Sequence, residues 1–127
     1  MSKYILEVPV VGKQPTPDAV SAAARAAASK TDEEVVVMDM AEVSAFTDVF
    51  IIVGARNTRQ VKAIVEEVER SVMAGSGIHP IRIEGLDDCT WVLMDYSDMI
   101  VHIFNGEARA FYDLEGLWGD APRLMVY

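Results

Sequence analysis

A chain of 127 residues can bury a conventional core in one domain without disulfides or metals to staple it. Its hydrophobic fraction of 51% is too high for a disordered chain, and the single cysteine, Cys89, excludes an internal disulfide and any cysteine-built metal cage. With 20 acidic against 11 basic side chains the net charge is −9, which repels phosphate backbones and argues against direct, sequence-specific nucleic-acid binding.

Residues 1–15 read as an N-terminal arm: the apolar piece Tyr4 to Val11 is interrupted by Pro9, which restricts it to an edge strand or irregular segment. Thr16-Pro17-Asp18 opens a helix, with Thr16 as cap, Pro17 in the first turn and Asp18 on the positive end of the dipole. The alanine-rich stretch that follows, Ser21 to Lys30, predicts close packing on a sheet. Glu34 to Met40 and Val49 to Gly54 are continuous β-branched and apolar runs, as buried strands require. Asn57, with Gln60 three residues on, starts a second helix whose Val61, Ile64, Val65, Val68 and Val72 keep the 3.6-residue period, and Gly75 and Gly77 stop it. Pro80 to Glu84, Thr90 to Tyr96 and Met99 to Phe104 alternate as strands do, the last two as a hairpin turning at Ser97-Asp98. Asn105-Gly106 ends it, Glu107 to Leu117 predicts one short helix, and 121–127 reads as a tail. The expected fold is a single α/β sandwich over 16–120, with a mixed, about five-stranded sheet flanked by helices.

Catalytic chemistry finds little support. The strand–Gly54–helix junction offers backbone amides at a helix start, but no phosphate-loop pattern accompanies it. Arg56, Arg59 and Lys62 make a small basic group that reads as a solvated helix start. His79 and His102 are too far apart for a helical zinc motif, and His102, mid-strand, reads as a core or interface histidine. Asp87-Asp88 and the turn acids cap backbone amides more readily than they hold magnesium. No Ser or Cys lies in a nucleophile elbow. No catalytic residue, metal site or cofactor is assigned.

The richest stretch runs from Trp91 to Trp118 and holds both tryptophans. Trp91, Tyr96, Phe111, Tyr112 and Trp118 are more rings than one small core needs, so some should face a partner. Asp95, Asp98, Glu115 and Asp120 lie among them and would suit a basic partner surface. These nine residues form the candidate partner-binding set.

The ordered motifs Thr47-Asp48-Val49-Phe50-Ile51-Ile52, Gly54, Asn57, Arg59-Gln60-Val61-Lys62-Ala63-Ile64, Glu84-Gly85, Trp91-Val92-Leu93-Met94-Asp95-Tyr96, Val101-His102-Ile103-Phe104 and Arg109-x-Phe111-Tyr112-x-Leu114-Glu115-x-Leu117-Trp118 resemble the Iojap family of ribosomal silencing factors, also called RsfS. The resemblance runs from about Asp18 to Asp120, most of the chain. Val49 departs from it, standing where the family usually has an aromatic. The resemblance implies a non-catalytic protein, often dimeric when isolated; the single cysteine, with no signal peptide and no 18-residue apolar run, separately leads to the expectation of a cytoplasmic one. Its implied partner is the large ribosomal subunit, bound through the basic ribosomal protein fourteen, and its implied action is to block subunit joining and hold translation down in nutrient shortage. It also implies a fold similar to that of minimal nucleotidyltransferases, which makes a degenerate enzyme of that kind the alternative. Those enzymes hold Mg²⁺ on a D-x-D pair of carboxylates, and this sequence contains no D-x-D.

Overall fold

The computed structural model describes residues 17–127; the expected arm at 1–15 and the Thr16 cap lie outside them. Six strands form one sheet in the order β3-β4-β5-β2-β1-β6. Their ranges are β1 Val36–Asp39, β2 Val49–Ala55, β3 Arg82–Glu84, β4 Trp91–Asp95, β5 Met99–Asn105 and β6 Arg123–Val126. All neighbours are antiparallel except the central pair β2 and β5. A parallel pair needs a long crossover, and the segment carrying α2 (Thr58–Ser76), β3 and β4 supplies it. Every residue of β2 is buried, which accounts for its unbroken apolar run.

One face of the sheet is closed by α1 (Pro17–Ala28) and α2. Ala23, Ala24 and Ala27 let α1 approach closely, and Val61, Ile64, Val65, Val68 and Val72 of α2 are buried as their spacing requires. The Asn57 side chain accepts from the Gln60 N–H at 2.8 Å, and the Gln60 side chain in turn accepts from the Arg56 N–H at 2.9 Å. Both helix-start donors are thereby satisfied. α2 runs through Gly75 and ends at Gly77, which takes the left-handed conformation at φ 69 and donates its N–H to the Met73 carbonyl.

The opposite face is covered incompletely. Where one helix was expected over Glu107–Leu117 there are two short ones, α3 (Ala108–Tyr112) and α4 (Leu114–Leu117). Asp113 breaks them apart at φ 47, and its carboxylate accepts from the Gly116 N–H at 3.1 Å to start α4. Leu114, Ala121 and Trp118 pack over Val36, Met38, Phe50, Ile52 and Phe104 near β1 and β2. The β4 and β3 end of this face has less cover. The sixth strand is the stretch read as a tail: β6 pairs with β1, and Val35 and Tyr127 exchange backbone hydrogen bonds at 3.1 and 2.8 Å.

Candidate partner-binding face

The face left open by α3 and α4 is set by the pleat of β4. Trp91, Leu93 and Asp95 point to it, and Val92, Met94 and Tyr96 point to the helix side. Opposite them on β5 stand Phe104, His102 and Ile100, and on β3 Glu84 pairs with Leu93 and Arg82 with Asp95. Gly85, at φ 93, carries the chain from β3 so close to the Trp91 carbonyl that any side chain there would collide with it. Glu84, Gly85, Trp91 and Leu93 consequently line a shallow recess beside the indole.

Aromatic rings build the centre of this face. The Trp91 ring lies 5.1 Å from Phe104 and 4.7 Å from Tyr112, and Phe111 stands edge-on to Tyr112 at 5.0 Å. Phe111 is 80% exposed and Tyr112 44%, exposures that packing alone does not explain for two adjacent rings. The Trp91 Nε1–H donates to His102 Nδ1 at 3.1 Å. His102 is buried, and the loss of hydration pushes its pKa down to about 4, so its ring is neutral at physiological pH. An indole is donor-only; Nδ1 must therefore be the bare nitrogen and Nε2 must carry the proton.

The nine candidate residues do not all gather here. Trp91, Phe111 and Tyr112 form the cluster, and Trp118 is half-buried against the β1–β2 side. Tyr96 is a correction: it is buried in the helix-side core, where burial first and Glu69 second push its pKa up to about 12. Glu115 has an internal partner: Arg109 grips its carboxylate with two hydrogen bonds, at 2.9 and 3.1 Å, and also donates to the Glu34 carbonyl at 2.6 Å. That pairing lowers the Glu115 pKa and ties α3 and α4 to the chain entering β1. Asp95 shares the open face but pairs with Arg82 at 3.1 Å and accepts from the Ser97 N–H. Asp98 lies in the β4–β5 turn, its carbonyl accepting from the Asp48 and Val49 amides. Asp120 is exposed beside Asp39 and Glu42, across the sheet from β4. The acids thus divide between internal pairing and a separate rim.

The family model described as "Ribosomal silencing factor during starvation" matches residues 13–126. The chain belongs to the ribosomal silencing factor family. It is 41% identical over 100 residues to the ribosomal silencing factor RsfS of Halalkalibacterium halodurans, covering 79% of this chain and 85% of that one. To RsfS of Bacillus subtilis it is 39% identical over the same length, covering 79% and 84%. Among solved structures, a crystal structure from Chromobacterium violaceum superposes with a TM-score of 0.74 at 26% identity, covering 84% of this chain and 88% of that one.

In this ribosomal silencing factor family member, reading from sequence missed Leu93, the β3 pair Arg82 and Glu84, and the bond between Trp91 and His102. The first omission had a signal. Alternation through Trp91-Val92-Leu93-Met94-Asp95-Tyr96 puts Leu93 with Trp91 and sends Tyr96 to the other face. The Trp91–His102 bond had none, because it joins strands whose register only the fold fixes.

Proposed function

We propose that this protein docks on the large ribosomal subunit through the basic ribosomal protein fourteen and, by occupying the joining surface, keeps the small subunit from binding. It acts in the cytoplasm and lowers translation in nutrient shortage without catalysing a reaction. Membership of the ribosomal silencing factor family supports the ribosomal setting. The observation that carries the docking face is the uncovered ring cluster of Trp91, Tyr112 and Phe111 beside Leu93, on a protein whose net charge of −9 attracts a basic partner. Anchoring rings inside a charge-steered approach are what such a partner needs: aromatics supply affinity, and net charge speeds encounter.

A steric block and a catalyst differ in stoichiometry. Titrated into separated subunits, with joining followed by light scattering, the protein should reduce joining in proportion to its amount and plateau near one copy per large subunit. Inhibition that grows with time at far lower ratios, or that needs a nucleotide, would replace this reading with an enzymatic one.

A further inference from the structure

We propose that His102 is the positioning residue of the docking face: its Nδ1 holds the Trp91 indole in the orientation that a partner meets. The inference rests on the reading of the Trp91 face as the docking surface.

His102 is an expensive residue to keep where it is. It is buried at 4% exposure, and its Nε2 finds no hydrogen-bond partner among the described residues. A buried donor without a partner has given up its water hydrogen bonds and gained nothing in return. Its surroundings are aromatic: Phe50 meets the ring edge-on at 4.4 Å, and the Phe104 ring lies nearly parallel to it at 6.3 Å. A phenylalanine would fit those contacts and carry no unpaired Nε2–H. What it could not do is accept the Trp91 N–H, the side-chain hydrogen bond that His102 makes.

The consequence is mechanical. Trp91 opens β4 and lies half-buried, within reach of both solvent and the ring of His102. Held by Nδ1, the indole lies tilted against Tyr112 at 4.7 Å, and Tyr112 meets Phe111 edge-on in turn. One bond thus orders a ladder of rings reaching from β5 to α3. Fixing the anchors before encounter removes the ordering cost that binding would otherwise carry.

The test uses the full chain and purified large subunits. His102→Phe should keep or raise the thermal midpoint and weaken large-subunit binding about tenfold, the size of one well-made hydrogen bond. On a Trp91→Phe background, which has no N–H to hold, the same change should cause no further loss. In ¹⁵N-labelled free protein, a coupling between Trp91 Nε1 and His102 Nδ1 should be visible across the hydrogen bond, and His102→Phe should speed exchange of the Trp91 indole proton. Unchanged affinity in His102→Phe, an equal loss on both backgrounds, or a fall of many degrees in the midpoint would overturn the positioning role. If the unmodified protein does not bind large subunits, the docking reading fails instead, and the coupling and exchange measurements still decide whether His102 orders Trp91.

Discussion

At the scale of single residues, burial and partners separate rings that sequence treats alike. Phe111 is 80% exposed, whereas Tyr96 is buried with its hydroxyl unpaired among the described residues. Phe111→Ala should therefore leave stability within about 0.5 kcal/mol while weakening large-subunit binding. Tyr96→Phe should do the reverse of an interface mutation: binding unchanged, and stability equal or slightly higher, because a buried hydroxyl without a partner is removed. Chemical denaturation alongside a binding titration checks both, and a binding loss in Tyr96→Phe would return that ring to the contact set. Arg109 has a third role. It is 15% exposed, bonded twice to Glu115 and once to the Glu34 carbonyl, and 3.7 Å from Glu33. Arg109→Ala should cost about 2 kcal/mol, less than a fully buried pair because water still reaches the site. Since α3 carries Phe111 and Tyr112, binding should fall with it.

At the scale of elements, the instructive cases are those where a short segment changed class. Arg123–Val126 has no strong alternation and follows Pro122, so locally it resembles a tail. It becomes a strand because β1 would otherwise present an unpaired edge, and because Leu124 and Tyr127 reach the helix-side core while Val126 packs on the other face. Truncation after Pro122 should consequently lower the thermal midpoint by about 10 °C, readable by calorimetry. A shortened chain that melts with the full one would show that β6 contributes nothing. The break at Asp113 has a comparable cause. A single straight helix over Glu107–Leu117 would have kept Asp113 from capping the Gly116 amide, and α4 could not then turn Leu114 and Trp118 onto the sheet.

At the scale of the whole molecule, acid should unfold the protein in two stages. Unfolded His102 takes up its proton near pH 6.5, but the folded ring does so only near pH 4. The unfolded state binds more protons between those values, so stability is full above about pH 6.5 and declines as pH falls towards 4. Glu115, its pKa lowered chiefly by Arg109, contributes stability that is present above the ordinary value of 4.5 and lost as pH falls through its lower folded value. Urea denaturation at a series of pH values should show the first decline disappear in His102→Phe and the second persist. A wild-type curve flat from pH 6.5 to 4 would mean that the buried ring is more hydrated than its 4% exposure implies.

Periodicity and end chemistry are local properties, and both were legible in the sequence. Val61, Ile64, Val65, Val68 and Val72 placed α2, Asn57 and Gly77 bounded it, and the apolar runs placed the central strands. The ordered motifs also carried the family. Relations between distant segments came only with the fold: β6 closes an edge of the sheet, Arg109 pairs with Glu115 across the break between α3 and α4, and Trp91 finds its acceptor on β5. Local pattern reports which way a residue faces relative to its neighbours in the chain. Whether that face is then covered, paired or left open depends on segments tens of residues away, and their packing is fixed only when the whole core closes.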